Sequence, residues 1–457
     1  MAHGRNHQRQ FSGAIRSAGF DRLACRLSRG LTMIDVILPI VLLLILLVLS
    51  VPVALSLALA GVVGIYLLKG MPSLIGILST APKSSLASYE LLTIPMFILM
   101  AEFIGMSGIS SNLFRAVSVW AGRLKGGLGI STVITGALFG AVSGSSTAAA
   151  ATLARTSIPA MLEDGVEPRT AAGIVSMAGT IAMLIPPSVA LIFYGLLSGT
   201  NISALLIAGI VPGLLVTLVL SLTIWLTTPR RENAVQYSWA ERFASLRVAM
   251  PFLFLFGTVT GLIYTGIATP VESSAVGALA AFSFAVVTRT CTFEGLKQAF
   301  SNTCAVTAMI GLIIVCAQIF GYFITMSGIA RDLASAVGGS EVPLVVVLGA
   351  IVLIYLFLGL FLDLISILIL TVPVMLPVVQ HLGFDPIWFG VVIILLAEIG
   401  IVTPPVGMNV FVVSSVSGIP LRDCFAGVVK PILAVLIVVI ALVTWPEITL
   451  WLPNTMK

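Results

Sequence analysis

The chain has 457 residues, of which 59% are hydrophobic and 9% are charged, and its mean hydropathy is +1.16. This composition excludes a soluble globular protein and predicts a polytopic helical membrane protein, because apolar runs recur that are long enough to cross about 30 Å of hydrocarbon. The net charge of +5 comes from the first 32 residues, which carry six arginines and one aspartate. A basic excess confined to a short tail without interleaved aromatic residues excludes nucleic-acid binding.

Residues 1–32 have neither the apolar core of a signal peptide nor a segment that could span a membrane, and Met33 opens a hydrophobic helix directly. We expect translation to begin at Met33, and a genuine cytoplasmic tail is the alternative. The five cysteines are scattered without metal-ligand or redox spacing, so neither a disulfide framework nor a metal site beyond sodium is expected.

Residues 33–228 form the predicted first repeat. Their apolar segments predict two spans over 34–69, parted near Val51–Pro52, and a third span over 91–108. From Ser107 to Arg123 apolar residues return every three to four positions. That period predicts an amphipathic helix lying in the membrane interface.

The segment 127–162 has too little apolar length to cross twice and is interrupted by small residues. We predict that it is a re-entrant hairpin, hairpin 1, with its tip at Ser143–Thr147. A span over 171–199 follows, broken at Pro186–Pro187, and another span covers 204–228. Broken and re-entrant helices are how transporters build ion sites at membrane depth.

A polar segment, 229–248, is the predicted cytoplasmic linker, and residues 249–457 form the predicted second repeat. Its predicted elements are spans near 249–267, 270–288 and 303–326, an amphipathic piece over 327–337, a second hairpin (hairpin 2) over about 343–380, a broken span over 386–417 and a last span over 424–446.

Three motifs of the first half recur in the second half in the same order, at offsets of roughly 214 to 220 residues. Met106–Ile109 corresponds to Met326–Ile329, Ile158–Met161 to Val372–Met375, and Leu184–Ser188 to Ile401–Pro405. This recurrence indicates an internal duplication. Basic loop residues, assigned to the cytoplasmic side, put the two hairpins on opposite sides of the membrane, so the repeats are predicted to be inverted.

The tip of hairpin 1 offers several hydroxyl oxygens and a glycine, Gly144, that permits close backbone approach. Facing it we expect Ser176, Gly179, Thr180 and the carbonyls freed by the proline pair. Such oxygens suit a hard monovalent cation such as sodium, and the N-terminal ends of half-helices suit a carboxylate. The alternative is that these small residues only allow tight helix packing.

In hairpin 2, Asp363 lies within a long apolar block, where a carboxylate is costly enough that a functional role is expected. Glu398 lies in a similarly apolar stretch and is expected either to join the site or to pair with a basic group of the scaffold. Glu272, in the first turn of a span, is expected to be structural. The residues of the second break that could face Asp363 are Gly400, Thr403, Pro404, Pro405, Gly407 and Asn409.

The residue patterns of serine hydrolases and of nucleotide-driven pumps are missing from the sequence. No histidine is placed near Ser143 by the sequence, and Gly140–Gly144 is not the G-x-S-x-G elbow of serine hydrolases. A Walker A lysine motif is also missing from the sequence. We therefore expect neither an enzyme nor a nucleotide-driven pump, and no cofactor.

Taken together, several motifs resemble the large membrane subunit, of the DctM type, of tripartite ATP-independent periplasmic (TRAP) transporters. The resemblance covers the chain from Met33 to Pro453. The motifs that carry it are Phe139–Thr147, Ile158–Met161, Gly179–Thr180, Leu184–Ser188, Thr269–Glu272, Phe361–Asp363 and Thr403–Gly407.

The resemblance implies a sodium-driven importer of organic acids in the bacterial inner membrane, surrounded by lipid and working by an elevator movement of a transport domain against a scaffold. It also implies two partners, a soluble periplasmic substrate-binding protein and a small four-helix membrane subunit. Because 32 residues before Met33 cannot hold four spans, we expect that subunit to be a separate chain.

The resemblance further implies sodium sites at the hairpin tips and helix breaks, with the substrate between them. The implied sodium ligands are Ser143, Gly144, Ser145, Gly179 and Thr180 in the first half and Asp363, Gly400, Thr403 and Pro405 in the second. The expected substrate contacts are Ser146, Ser188, Asp363 and Asn409. Two features depart from the family pattern: Glu398 stands where we expect asparagine, and a stretch often rich in alternating Ala and Thr reads Thr147-Ala-Ala-Ala-Ala-Thr152.

Two other functions stay open at this point. A stand-alone sodium symporter of divalent anions would use the same hairpins without a binding protein. An intramembrane enzyme would require Ser143 for turnover. The sequence does not name the substrate, and dicarboxylates, keto acids, sugar acids and sialic acid all fit.

Overall fold

The structure, a computed structural model, describes residues 34–107, 109–122, 124–228, 238–338 and 343–456. The predicted tail 1–32, Met33 and the linker residues 229–237 lie outside the described residues. Throughout the described ranges the regular elements are helices.

The chain forms two compact units. Unit 1 contains α1 (Ile34–Val48), α2 (Val53–Leu86) and the later part of α13 (Phe293–Ser327), from Leu312 onward. Unit 2 contains Ala87–Gly311 and the chain from Ala330 onward, and every candidate site residue lies within it.

The helices of unit 2 before the midpoint of the chain are α3 (Thr93–Met106), α4 (Ile109–Ala121), α5 (Gly127–Ser143), α6 (Ser146–Glu163), α7 (Pro168–Ile181), α8 (Val189–Ser198), α9 (Ile202–Ala208) and α10 (Ile210–Thr227). Those beyond it, apart from α13, are α11 (Trp239–Tyr264), α12 (Pro270–Val287), α14 (Ile329–Gly338), α15 (Leu344–Gly359), α16 (Leu364–His381), α17 (Pro386–Val402), α18 (Met408–Ser417), α19 (Leu421–Thr444) and α20 (Glu447–Leu450).

Seven helical segments of the described chain are long and apolar enough to span a membrane, or eight if the bent helix α11 counts as one span. The chain is therefore a multi-pass α-helical membrane protein, as its composition predicts. Hairpin 1 consists of α5 and α6, and hairpin 2 of α15 and α16; the helices of each pair pack against each other. Both predicted broken spans are interrupted, the first between α7 and α8 and the second between α17 and α18.

The order of elements repeats. A helix, a short amphipathic helix, a hairpin, a broken helix and a closing span follow one another as α3 to α10 and again as α13 to α19. Both breaks contain a cis proline pair, Pro186–Pro187 and Pro404–Pro405. The duplication predicted from three short motifs thus has a counterpart in the helix order, and the inverted orientation stays a prediction.

Several helix boundaries differ from the predicted ones. In unit 1 the second span does not stop at 69: α2 continues to Leu86 through a kink at Gly70, whose φ of 75° favours glycine. Gly61 and Gly64 of α2 let it lie against Phe320 and Phe323 of α13. Apolar runs alone do not reveal such a continuation, because a kinked helix and a helix followed by a loop have the same composition.

Helix α11 begins at Trp239, inside the predicted linker, because Ser238 and Glu241 form a capping box there. A second capping box, between Thr269 and Glu272, starts α12. The Glu272 carboxylate accepts a hydrogen bond from the Thr269 backbone N–H at 2.8 Å. This confirms the structural role expected for Glu272.

Two basic residues of unit 2 lie close to tryptophan rings. The Arg242 guanidinium carbon lies 5.0 Å from the ring centre of Trp239 and 5.9 Å from that of Trp120 on α4. Lys125 Nζ lies 5.9 Å from the Trp225 ring centre. Aromatic rings with basic neighbours are typical of a membrane–water interface, in keeping with the prediction that α4 is interfacial.

Candidate functional site

The tip of hairpin 1 is a two-residue connection. Helix α5 ends at Ser143, Gly144 adopts φ 57°, and Ser145 caps α6 by accepting a hydrogen bond from Ala148 N at 3.4 Å. The Ser145 and Thr147 hydroxyls are 3.0 Å apart. The hydroxyls and the first backbone N–H groups of α6 are thereby concentrated at one point, while the side chain of Ser143 lies outside the described structure.

The first break runs from Ala182 to Ser188. Ser188 caps α8 by accepting from Leu191 N at 3.3 Å, and its own hydroxyl donates to the Met183 carbonyl at 2.5 Å. Thr180 donates to the Met177 carbonyl at 2.8 Å. The predicted hydroxyls are thus present at this break, and their hydrogen bonds hold its backbone in place.

Hairpin 1 and the first break are in direct contact, as predicted. A Cβ added to Gly179 would lie 2.9 Å from the Ser146 carbonyl oxygen, and one added to Gly144 would lie 2.6 Å from Val189. Gly140 of α5 abuts Ala182 in the same way. Positions 140 and 179 need glycine because the backbones approach too closely for a side chain, and at position 144 a Cβ would meet the Val189 side chain.

Hairpin 2 has a corresponding tip. Helix α15 ends at Gly359, and Asp363 caps α16 by accepting from Ser366 N at 3.3 Å, while the Ser366 hydroxyl donates to Asp363 Oδ1. Farther along the hairpin, the Tyr355 hydroxyl donates to Thr371 Oγ1 at 2.8 Å. Sequence reasoning found Asp363 but missed Ser366, although its position three residues after an N-cap residue is a usable signal.

The second break follows Val402. Gly400 lies against Gly359, where an added Cβ on Gly359 would come within 2.6 Å of the Gly400 Cα atom. Thr403 donates to the Ile399 carbonyl at 2.7 Å. Hairpin 2 therefore packs against the second broken helix through a glycine pair, and Pro405 lies exposed in the break.

The two repeats meet within unit 2. Helix α18 packs against α6 and α7 of the first repeat, and α19 packs against α7. The Tyr194 hydroxyl of α8 donates to the Pro386 carbonyl at the start of α17 over 2.7 Å. This link between the halves was not anticipated from the sequence, since nothing in the local pattern around Tyr194 points to a partner 192 residues away.

Two polar side chains at this junction, Glu398 on α17 and Asn409 on α18, are buried completely. The Glu398 carboxylate lies near the Ser146 hydroxyl at the tip of hairpin 1. Sequence reasoning left open whether Glu398 pairs with a basic scaffold group. Among the described residues no basic group does so.

The structure thus brings Gly144, Ser145, Ser146 and Gly179 together with the first break. In the second half it joins Gly359 of hairpin 2 to Gly400, and Asp363 lies four residues after Gly359. Ser188 and Thr180 lie in the first break, with their hydroxyls bonded locally. Binding of sodium or substrate by any of these residues stays a prediction.

Comparison with known proteins identifies the family of this chain. Residues 40–448 match the family described as the tripartite ATP-independent periplasmic transporter, DctM component. The chain belongs to this family. The resemblance stated from the motifs is confirmed.

Among curated relatives, the C4-dicarboxylate TRAP transporter large permease protein DctM of Pseudomonas aeruginosa is 34% identical over 87% of this chain and 94% of the relative. The sialic acid TRAP transporter large permease protein SiaM of Vibrio cholerae is 35% identical over 80% of this chain and 87% of the relative. Both are named as transporter permeases. The chain is accordingly a TRAP large permease subunit and not an enzyme.

The crystal structure of the Alcanivorax borkumensis YdaH transporter has the same fold, with a TM-score of 0.60 at 17% identity, over 84% of this chain and 89% of that one. At that identity the likeness concerns the fold alone. It agrees with the predicted all-α polytopic transporter architecture.

Proposed function

We propose that this TRAP large permease subunit is sodium-coupled and imports an organic acid across the bacterial inner membrane. One observation carries the proposal: in each repeat a helical hairpin contacts, through its glycines, a helix that is interrupted at a proline pair. Oxygen atoms and helix ends gathered in this way suit a monovalent cation and a carboxylate.

In this proposal the sodium ligands are those implied by the family resemblance, with the substrate between the ligands of the two halves. Asp363 supplies the negative charge that a cation requires, and the first backbone N–H groups of α6 and α16 attract the substrate carboxylate. The substrate class is a carboxylate, because the relatives described above are named for a C4-dicarboxylate and for sialic acid.

Transport would follow an elevator movement of the hairpins and broken helices. A periplasmic binding protein would deliver the substrate, and a small four-helix membrane subunit would join the scaffold as a separate chain. The family description supports both partners, since it makes this chain one component of a tripartite periplasmic transporter.

The test is the thermal stability of the purified chain in detergent, in sodium chloride against potassium chloride at equal ionic strength. A cation that binds the folded state stabilises it by RT ln(1 + [L]/Kd), or about 2.7 kcal/mol at a hundredfold excess over Kd. We expect sodium to stabilise the wild type more than potassium does, and Asp363→Asn to reduce that difference.

Asp363→Asn is a clean substitution because asparagine caps a helix about as well as aspartate. Asp385→Asn is the matched control, since Asp385 is the exposed N-cap of α17 and accepts a bond from Ile387 N at 2.7 Å. An Asp363→Asn protein that keeps the full sodium effect would remove Asp363 from the site. Equal stabilisation of the wild type by sodium and potassium would refute sodium binding by the chain.

A further inference from the structure

Helices α3, α11 and α12 of unit 2 meet at Gly277. A Cβ added to this glycine would lie 2.6 Å from Met100 Sδ on α3 and 2.8 Å from Val259 Cγ2 on α11. About one turn farther along α3 and α12, the rings of Phe103 and Phe282 pack with centres 5.3 Å apart. Helices α3 and α12 are therefore parallel, and α11, which a short turn joins to α12, is antiparallel to both. The C-terminal ends of α3 and α12 thus share a side with the N-terminal part of α11.

Toward that side the three helices separate and leave a cavity of about 330 Å³. The cavity begins where α11 bends, by 51° between its segments Trp239–Arg247 and Ala249–Tyr264. Pro251 lies in this part of α11 and lines the cavity, and a proline inside a helix removes a backbone hydrogen bond and commonly kinks the helix. The volume lies within the roughly 300–1,000 Å³ typical of small-molecule sites.

The cavity is apolar, and it opens to the surroundings of the protein. Phe252 at its floor is 1% exposed, whereas Phe254 and Val287 at its mouth are 69% and 79% exposed. Among the described residues that line it, Ser283 has the one polar side chain, and its hydroxyl donates to the Leu279 carbonyl at 2.8 Å. Such a cavity suits an alkyl chain and offers an organic acid no charged or free polar partner.

Two arginines lie at the level of the mouth. The candidate span α12 ends at Val287, and the apolar segment of α11 begins at Ala249. Arg289 follows the first of these points by two residues and Arg247 precedes the second by two, and both side chains are exposed. Neither forms an ion pair within the part of the chain that the structure describes. Two unpaired positive charges therefore mark the level at which these spans leave the hydrocarbon.

Arg289 occupies a backbone position that glycine would fill with less strain. Its φ is 56°, and its N–H donates to the Val286 carbonyl at 3.0 Å to close the end of α12. The helix dipole favours a basic residue there. It does not account for Arg247, which lies at the same level on a different helix and within α11 rather than at its C-terminal end. A negatively charged group at the mouth would account for both arginines.

We propose that this cavity binds an acyl chain of an anionic glycerophospholipid, and that Arg247 and Arg289 hold the lipid phosphate. The order of the features fits one lipid molecule, because the charges lie at the membrane surface and the apolar cavity lies deeper. Basic residues beside pockets between membrane helices bind anionic head groups in this way. The site uses neither the hairpins nor the broken helices, so it is independent of sodium and of the transported acid.

The test is lipid binding to the full-length chain, purified and delipidated in detergent, measured by native mass spectrometry. Phosphatidylglycerol and phosphatidylcholine with identical acyl chains are the probes. We expect the wild type to prefer phosphatidylglycerol, and Arg247→Gln/Arg289→Gln to bind it about tenfold more weakly with little change for phosphatidylcholine. A double variant that keeps the full preference would overturn the proposal.

Arg331→Gln/Arg422→Gln is the matched control for the loss of two charges. Arg331 on α14 and Arg422 on α19 are exposed and do not line the cavity. This variant should prefer phosphatidylglycerol as strongly as the wild type does. An equal loss of preference in both double variants would mean that net charge, and not this site, selects the lipid.

Ser283→Phe tests the cavity itself, because a ring at this exposed position takes up space that the acyl chain would use. We expect it to bind one lipid fewer per chain than the wild type. Leu279→Phe, one turn earlier on α12, is the control, since Leu279 is 66% exposed and lies outside the cavity. Equal lipid numbers in the two variants would contradict binding of an acyl chain in the cavity.

Other occupants give different results. Glycerol phosphate, which has the phosphate but no acyl chain, should not displace phosphatidylglycerol at equal concentration, and displacement would overturn the lipid assignment. A wild-type chain that binds neither lipid would also overturn it. Weaker binding of the small membrane subunit by Ser283→Phe would then assign the cavity to that subunit.

Discussion

At the scale of single residues, Asp363 carries the negative charge at the tip of hairpin 2, where it caps α16 by accepting a hydrogen bond from Ser366 N. Asp363 is a lone acid in an apolar block, and such a residue is visible without a structure because its burial is costly. The sequence put Asp363 within hairpin 2, whereas its place as the N-cap of α16 and its hydrogen bond with Ser366 come from the structure.

The neighbours of Glu398 could not be predicted from the sequence. Its apolar surroundings predict burial, but whether a buried acid has a partner depends on helices that are distant along the chain. Ser146 lies 252 positions earlier, and only the packing of the second repeat against α6 brings the two together. No local pattern could have predicted that pair.

Ser145 provides a residue-scale prediction. Replacing Ser145 by alanine removes both a candidate sodium ligand and the cap of α6, and losing a cap costs about 0.5–2 kcal/mol. We expect Ser145→Ala to raise the sodium concentration for half-maximal stabilisation severalfold, measured by thermal unfolding in a sodium titration.

Thr269→Ala is the control, because Thr269 caps α12 through the same kind of hydrogen bond, to Glu272 N at 3.3 Å, and is not a candidate ligand. It should lower stability while leaving the sodium titration midpoint where it is in the wild type. A Ser145→Ala midpoint equal to that of Thr269→Ala would mean that Ser145 only caps the helix.

At the scale of helices, the interruptions were the most predictable features. Proline pairs and glycine-rich tips alter the backbone wherever they occur, so both breaks and both hairpins lie where the sequence placed them. The kink at Gly70 and the early start of α11 were missed. Both depend on backbone geometry and capping, which hydropathy does not register.

The glycine contact between hairpin 2 and the second broken helix gives an element-scale prediction. Gly359→Ala would push a methyl group into the Gly400 backbone, and overpacking of this kind costs about 1–3 kcal/mol. We expect a lower melting temperature and a smaller stabilisation by sodium than in the wild type, both read from thermal unfolding in detergent.

Gly349→Ala, on the same helix α15, is the matched control because nothing lies within 4 Å of its added Cβ. Alanine is the better helix former, so Gly349→Ala should be as stable as the wild type or slightly more stable. If the two variants behave alike, the contact between Gly359 and Gly400 does not hold hairpin 2 in place.

At the scale of the whole molecule, composition was enough to predict an all-helical membrane protein, because hydropathy is a property of the chain itself. The duplication predicted from three short motifs has a counterpart in the order of the helices. The substrate could not be predicted in this way, since relatives with similar sequence identity are named for chemically different acids. Membership of the family therefore does not identify the acid that this chain carries.

The tripartite arrangement gives a prediction at this scale. Proteoliposomes that contain the chain and its small membrane subunit should show no sodium-driven uptake until the periplasmic binding protein is added. Uptake is followed with a radioactive acid that the binding protein is known to bind. Uptake at the same rate without the binding protein would instead favour the stand-alone symporter.

Because α7 packs against α19, the native packing of α7 can form only after α19 has been synthesised. Gly173 and Gly427 bring these helices into backbone contact, yet the ribosome makes the second glycine more than two hundred residues after the first. During synthesis the first broken helix must therefore wait in the membrane with one face uncovered until the last long helix is inserted. The packing of α7 is therefore complete only after almost the whole chain has been synthesised.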